Sequence, residues 1–115
     1  MEIFVRPHDS LWYYSELFNI PLVLIEQSNP GVDPSLLNIG QRILIPGYVL
    51  HEYTIKANDS LWTIANQHNL TVDSLLLVNQ QINPNQLQIG QNIMLPQRVT
   101  NLIVDDINNY TYAKM

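Results

Sequence analysis

The chain has 115 residues, 46% of them hydrophobic, and a formal net charge of −5. Its length suits one ordinary domain or two very small ones, and its composition is that of a globular protein. It contains no apolar stretch near the roughly 18 residues of a membrane span, no Lys/Arg cluster for a nucleic acid, and no cysteine. The start "MEIFVRPHD" lacks the basic leader and apolar core of a secretory signal, so we expect synthesis without a signal peptide.

The chain contains an internal repeat. Residues 3–46 align without a gap on residues 53–96, so that "HDSLW" meets "NDSLW" and "IGQ" meets "IGQ". Self-similarity of this kind decides architecture before local propensities do. The expected division is module 1 at 1–46, a short linker at 47–52, module 2 at 53–96 and a tail at 97–115.

Each module begins with a short strand and continues with a helix. The runs "IFVR" and "YTIK" are rich in β-branched and aromatic residues, as strands are. The period then changes, because packing residues recur at i, i+3, i+4 and i+7. The predicted helix face consists of Leu11, Tyr14, Ser15 and Phe18 in module 1 and of Leu61, Ile64, Ala65 and His68 in module 2.

The repeated "DS" predicts how this helix starts. Ser10 and Ser60 stand just before it, where a hydroxyl accepts from an unpaired first-turn N–H. Asp9 and Asp59 add negative charge near the positive end of the helix dipole, and we expect them to cap and rigidify the loop.

The aromatic residues of this helix are given structural roles. Trp12 and Trp62 are expected to flank the small core rather than to stack on a ligand. Tyr13 and Tyr14 have no aromatic counterpart in module 2, which favours surface or intermodule packing.

A second short helix, a turn-rich loop and a second strand complete each module. Thr71 is the predicted cap of one second helix, and Pro21 suits the first turn of the other. The loops are rich in Asn, Pro and Gly, and are expected to re-enter the fold through two apolar positions. Those positions are Leu37 with Ile39, and Leu87 with Ile89.

The order β-α-α-β defines the expected fold class. The runs "RILIP" and "NIMLP" form the second strands, which we expect Pro46 and Pro96 to stop. Each module is then an α+β unit, a two-stranded antiparallel sheet with two helices on one face.

The linker and the tail lie outside the repeat. "GYVLHE" is too short and apolar for a flexible Gly/Ser tether, so we expect Tyr48, Val49 and Leu50 to pack the modules into a fixed relation. The tail, residues 97–115, has no counterpart in the repeat and is expected to be irregular or strand-like.

Together, "DSLW" opening the first helix, Asn ending the second and "L.IGQ.I.IP" closing the unit resemble the lysin motif. The resemblance implies binding to N-acetylglucosamine polymers, peptidoglycan or chitin, in a shallow groove between the loop after the first strand and the loop after the second helix. The usual glycine before Asp is replaced by His8 and Asn58. His and Asn tolerate a positive φ well, so we expect the loop shape to survive.

The chemistry of such a ligand suits these loops. An N-acetylhexosamine offers an amide, hydroxyls and one methyl group without net charge, which backbone amides and a small apolar dimple can match. The candidate glycan-binding residues are Pro7, His8, Asp9, Ser10, Leu11, Asn29, Pro30, Gly31 and Val32 in module 1, and Ala57, Asn58, Asp59, Ser60, Leu61, Asn79, Gln80, Gln81 and Ile82 in module 2. A few neutral hydrogen bonds predict weak binding per module, strengthened by repetition.

Some of these residues also suit a structural, catalytic or metal-binding role. Asn29 and Asn79 end a helix, where tolerance of left-handed geometry gives Asn a structural role. Adjacent His, Asp and Ser diverge and do not form a triad. Glu16 and Glu26, as a glycosidase pair, have no acidic counterparts in module 2. The spacing of the histidines does not favour metal, so we expect no catalytic residue and no cofactor. A protein-binding scaffold in spore coat or cortex assembly stays open.

The end of the tail, "NNYTYAKM", resembles the opening of a carboxypeptidase-type zinc peptidase domain. With two lysin motifs before it, the arrangement resembles Bacillus-type γ-D-glutamyl-diaminopimelate endopeptidases. None of their zinc ligands is present. The expectation is therefore a truncated chain, lacking a C-terminal catalytic domain, that targets a hydrolase to the cell wall or to the spore cortex or coat.

Overall fold

A computed structural model describes residues 1–99, and the backbone alone of residues 101–106 and 109–113. The elements are, in chain order, β1 (Glu2–Phe4), α1 (Leu11–Phe18), α2 (Leu22–Ser28), β2 (Arg42–Leu44), β3 (Tyr48–Thr54), α3 (Leu61–Gln67), α4 (Val72–Val78), β4 (Asn92–Arg98), β5 (Asn101–Asp106) and β6 (Asn109–Ala113). No helix in these stretches is long and apolar enough to cross a membrane.

Each repeat folds as β-α-α-β. β1 pairs antiparallel with β2, with Ile3 opposite Ile43, and β3 pairs with β4 in a second two-stranded sheet. In β1 and β2 only these central isoleucines are buried, so a single face of the sheet carries the helices. The expected α+β class, with two helices on one face of a small antiparallel sheet, is confirmed.

One face of α1 forms much of the module 1 core. Leu11, Tyr14 and Phe18 are buried at i, i+3 and i+7, together with Ile25 of α2. Tyr14 is fully buried, which confirms its place on the predicted helix face and makes the expectation of surface or intermodule packing wrong. Its position one turn after Leu11 puts it on the core face whatever its residue type.

The module 2 core is built in the same way. Its buried members are Ile55, Leu61, Ile64, Ala65, Leu75, Ile93 and Leu95. The helix-face prediction is wrong for His68, because α3 ends at Gln67 and His68 is an exposed C-cap residue. Its ring instead meets the Tyr53 ring edge-on, with 5.5 Å between centroids.

The turn-rich loops enter the core at one apolar position rather than two. Leu37 and Leu87 are half-buried, and Leu87 packs against the module 2 core. Ile39 and Ile89 are 72% and 75% exposed, so the prediction that they re-enter the fold is wrong. Each directly precedes a glycine with positive φ, Gly40 or Gly90, at the turn into the last strand.

The second sheet extends beyond the repeat at both strands. The stretch read as a linker forms most of β3, which begins at Tyr48, since its aromatic and β-branched residues favour extended chain. β4 runs on to Arg98, so Pro96 does not stop it. A proline is tolerated there because each strand of a two-stranded sheet has a free edge.

The chain divides into two compact units, Met1–Val49 with Gln97–Met115 and Leu50–Pro96. The expected fixed relation between the modules stays a prediction. In the tail, β5 and β6 pair antiparallel, with Ile103 opposite Thr111. The strand-like form expected of the tail is confirmed for these strands, and residues 100, 107, 108, 114 and 115 lie outside the described residues.

Arg98 holds the end of α1 within the first unit. Its guanidinium donates to the carbonyl oxygens of Phe18 at 2.9 Å and Asn19 at 3.0 Å, and lies 5.3 Å from the centroid of the Tyr48 ring. The Tyr48 hydroxyl also donates to the Phe18 oxygen, at 2.9 Å. A cation at the carboxyl end of a helix is favoured by the helix dipole and pairs carbonyls that have no partner in the helix.

Replacing Arg98 by Ala is therefore expected to destabilise the first unit by about 1 kcal/mol, since two hydrogen bonds to a charged group and one cation–π contact are lost. Amide hydrogen exchange should become faster at Asn19 and Ile20 but not at the equivalent Asn69 and Leu70. The exposed neighbour supplies the control Gln97→Ala. Unchanged exchange at Asn19 and Ile20 would contradict this role of Arg98.

Candidate glycan-binding loops

Two loops in each module contain the candidate residues. The first loop lies between the first strand and the first helix, at residues 5–10 and 55–60. The second loop follows the second helix, at residues 29–32 and 79–82. Two backbone hydrogen bonds just beyond the sheet fix the start of the first loop, because Val5 N–H donates to the Gln41 oxygen at 2.9 Å and Gly40 N–H donates to the Val5 oxygen at 2.7 Å.

Asp9 closes the first loop of module 1. Its Oδ2 accepts from the Arg6 backbone N–H at 3.1 Å and from Arg6 Nε at 3.0 Å. The Tyr14 hydroxyl donates to the same oxygen at 2.8 Å. The Asp9 side chain is only 6% exposed, so its carboxylate bonds mainly to groups of its own module rather than to solvent. The expected rigidifying of the loop is confirmed, whereas the cap of the helix is Ser10 rather than Asp9.

Asp59 closes the first loop of module 2 in the same way. Its Oδ2 accepts from the Lys56 backbone N–H and from the Tyr53 hydroxyl, both at 2.8 Å. The Lys56 N–H, followed by the Tyr53 hydroxyl, holds the pKa of Asp59 below its usual value. The same hydrogen bond to Asp59 raises the pKa of Tyr53 above its usual value.

The residue before each Asp adopts the backbone that glycine would favour. His8 has φ of 71° and Asn58 has φ of 69°. Both values lie in the left-handed region, so the prediction that these residues preserve the loop shape is confirmed. Their side chains are exposed at the tip of the loop.

Serine caps the helix that follows the first loop. Ser10 Oγ accepts from Tyr13 N–H at 3.0 Å, and Ser60 Oγ accepts from Thr63 N–H at 3.1 Å. In module 2 the Thr63 hydroxyl oxygen also accepts from the Ser60 N–H at 2.9 Å, which completes a capping box. Thr71 caps α4 as predicted, whereas Pro21 is the N-cap residue of α2 rather than part of its first turn.

An asparagine side chain anchors each second loop to the last strand. Asn29 Nδ2 donates to the oxygens of Ile25 at 2.7 Å and Leu44 at 2.9 Å, and its Oδ1 accepts from Leu44 N–H at 2.8 Å. Asn79 repeats these bonds with Leu75 and Met94. Each amide therefore joins a helix end to a strand edge.

Both asparagines have the expected structural role, but by another mechanism. Their φ values are −128° and −135°, so the predicted left-handed geometry is wrong. Left-handed asparagines do follow a helix at Asn19 and Asn69, but after the first helix of each module rather than the second. The amides of Asn29 and Asn79 are buried and paired, which leaves the backbone of the second loop for any ligand contact.

The remaining candidate residues differ in how far they are exposed to solvent. The side chains of Leu11 and Leu61 are buried in the cores. Backbone and side chain together, the half-buried candidates are Val32, Ile82, Asp9, Asp59 and Ser10. The exposed candidates are Pro7, His8, Pro30 and Gly31 in module 1 and Ala57, Asn58, Ser60, Gln80 and Gln81 in module 2.

The two tryptophans are exposed, against the sequence expectation. Trp12 is 63% exposed and Trp62 is 67% exposed, so neither flanks the core. Each follows a buried leucine, and a helix turns about 100° per residue, which points the next side chain away from the core. A signal was present in the sequence, because the core-facing positions were already filled by Leu11, Tyr14, Leu61 and Ile64.

Comparison of the sequence with known proteins identifies a matching domain family and a similar protein. The LysM domain family matches residues 4–46 and 53–96. A γ-D-glutamyl-L-diamino acid endopeptidase 1 of Lysinibacillus sphaericus is 60% identical over 55 residues, which are 48% of this chain and 14% of that protein. The chain thus matches about a seventh of that relative's length.

Solved structures also match. The LysM domain of a Volvox carteri chitinase is 40% identical, with a TM-score of 0.38, over 39% of this chain and 92% of that one. The spore cortex-lytic enzyme SleL of Bacillus megaterium QM B1551 is 26% identical, with a TM-score of 0.40, over 83% of this chain and 22% of that one.

The asparagine anchor can be tested by substitution. Asn79→Ala removes three hydrogen bonds and leaves the Met94 N–H without that partner, so we expect a loss of about 1–3 kcal/mol in the free energy of unfolding. Chemical denaturation provides the measurement. Asn83→Ala is the matched control, since that exposed amide accepts only from Asn85 N–H in its own turn. Equal stabilities of the two variants would contradict the anchor.

Proposed function

The chain belongs to the LysM domain family, and from that premise we propose that both modules bind N-acetylglucosamine-containing glycan through their first and second loops. LysM domains bind glycans of the peptidoglycan and chitin type and occur attached to cell-wall hydrolases. This chain is a binding part rather than a catalytic one. Within that class of glycan, peptidoglycan is the ligand that we propose for these loops.

The observation that carries the proposal is the shared construction of the two first loops. In each module a carboxylate accepts hydrogen bonds from donors of its own loop and core. An exposed tryptophan, Trp12 or Trp62, stands two residues after the N-cap serine. The exposed loop residues add backbone amides and carboxamides rather than a cluster of charge. Such a surface suits an uncharged, amide-bearing ligand.

Trp12 and Trp62 are proposed to stack on a sugar ring beside the loop. An indole has a broad apolar face and an N–H at its edge, so it contacts the C–H face of a pyranose and still offers a donor. The capped helix start fixes the backbone that carries the ring, which limits the entropy lost on binding. The acetamide group then lies over the loop backbone.

Repetition compensates for weak individual sites. A few neutral hydrogen bonds and one stacked ring, less the cost of association, correspond to roughly millimolar to tens-of-micromolar affinity per module. A long glycan, or two neighbouring strands of a wall, binds the second module at a raised effective concentration.

The binding is proposed to target a hydrolase to peptidoglycan. The support is the similarity to the Lysinibacillus sphaericus relative, an endopeptidase whose remaining length lies outside the match. The tail, which resembles the start of a zinc peptidase domain, is the proposed link to such a catalytic part. The cell wall, or the spore cortex or coat, is the proposed location.

The tryptophan prediction concerns cooperation between the modules. Trp62→Ala is expected to weaken binding to intact, protein-free sacculi at least about tenfold, or about 1.4 kcal/mol, because the second attachment point is lost. Short-oligomer binding at module 1 should be retained. Phe4→Ala is the matched control, an aromatic that is 50% exposed on the outer sheet face. Equal sacculus affinity of parent and Trp62→Ala would leave module 2 as a structural support.

The specificity prediction concerns charge and acetylation. Binding to N-acetylglucosamine polymers should change less than about threefold between low and moderate salt, because neutral contacts are little screened. De-N-acetylated chains should bind far more weakly. Titration of both polymers at two salt concentrations checks this. A steep loss of affinity with salt, or equal affinity for both polymers, would show a charge-driven ligand instead.

A further inference from the structure

We propose that the hydroxyl groups of Tyr14 in module 1 and Tyr53 in module 2 are positioning groups for glycan binding, acting through Asp9 and Asp59 on the first loop. The inference rests on the proposed function, and it identifies residues outside the loops that set the affinity of each site. Neither tyrosine is among the loop residues.

The two tyrosines donate to equivalent carboxylates of the two modules, but from different elements. Tyr14 lies on helix α1 and donates to Asp9 Oδ2 at 2.8 Å. Tyr53 lies on strand β3 and donates to Asp59 Oδ2, also at 2.8 Å. The repeat aligns Tyr14 with Ile64 and Tyr53 with Ile3, so the residue types are exchanged between the two positions.

This exchange separates the bond from the packing. Each module has one Tyr and one Ile at the two positions, so the total side-chain volume is the same in both. A core that needed only volume would be filled equally well by Phe, which brings no buried hydroxyl requiring a partner. What the two arrangements have in common is the hydrogen bond to the loop carboxylate.

The carboxylate in turn fixes the backbone of the first loop. In module 2, Asp59 Oδ2 holds the Lys56 N–H at 2.8 Å, and the Asp59 N–H donates to the Lys56 oxygen at 3.1 Å. Between them stands Asn58 with its positive φ. Without the phenol the carboxylate has one restraint fewer, and the loop must be ordered at the expense of binding energy.

Charged groups around the carboxylate give a second readout in module 2. Lys56 Nζ lies 5.7 Å from the centroid of the Tyr53 ring, and the ring of His68 meets the same tyrosine. The pKa of Asp59 is held below its usual value, so the ordered loop persists above the ordinary carboxyl range and is lost as pH falls through the lowered value. Removing the phenol raises that pKa, and binding then fails at a higher pH.

The test measures the two sites separately in the full chain. Amide NMR titration with an N-acetylglucosamine tetramer follows residues 8–10 for module 1 and 58–60 for module 2. Tyr14→Phe should weaken module 1 at least about threefold and leave module 2 unchanged, and Tyr53→Phe should do the reverse. The double variant Ile3→Tyr/Tyr14→Ile gives module 1 the arrangement of module 2 and should restore affinity to within about twofold.

Tyr48→Phe is the control for a structural effect alone, since it removes a phenol bond to the Phe18 oxygen within the same unit. Parent-like affinity of Tyr14→Phe and Tyr53→Phe, or equal weakening of module 1 by Tyr48→Phe, would overturn the proposal. So would an unchanged acid midpoint of module 2 binding in Tyr53→Phe. Absence of binding by the parent chain would refute the proposed function instead.

Discussion

The side-chain amides of Asn29 and Asn79 form, in each module, the hydrogen bonds that a neighbouring strand would otherwise form. Each amide donates to and accepts from one residue of the last strand, Leu44 or Met94, and also donates to a carbonyl in the preceding helix. A unit of about 45 residues buries too little surface to leave its backbone groups unpaired. The second loop starts at this residue, so the groove that we propose has the anchored helix end as one wall.

In the first loop, too, one polar side chain pairs with backbone groups, here a carboxylate in place of the amide. Asp9 and Asp59 accept hydrogen bonds from the backbone and from a tyrosine hydroxyl, and Asp9 also from the Arg6 guanidinium, so each carboxylate has less acceptor capacity left for a ligand. Rigid loops made in this way lose little entropy on binding, and their outward groups are mainly neutral. This accounts for the preference that we propose for an acetamide-bearing sugar over a charged polymer.

The sequence predicted most of the fold because the repeat tested each assignment twice. The βααβ order, the Ser10, Ser60 and Thr71 caps and the positive φ at His8 and Asn58 all follow from local chemistry, and are confirmed. The wrong predictions of burial came from giving the type of a residue more weight than its position in the helix. Trp12 is expected to flank the core, and Tyr14 to pack at the surface or between modules because module 2 lacks an aromatic there, although Tyr14 also lies on the predicted helix face. The helical period decides both positions.

Tertiary partners were harder to infer from the sequence. The bond from Tyr53 to Asp59 joins a strand to a loop, and the Asn79 amide bonds to a strand fifteen residues later, so no local sequence pattern predicts either bond.

The central claim is that the two loops and the tryptophan contact the acetamide-bearing sugar. Intermolecular NOEs from the acetamide methyl protons of an N-acetylglucosamine tetramer test it most directly. The account predicts NOEs to Trp12 or Trp62 and to residues 30–32 or 80–82, and NOEs confined to Phe4 and Leu44 on the outer sheet face would contradict it.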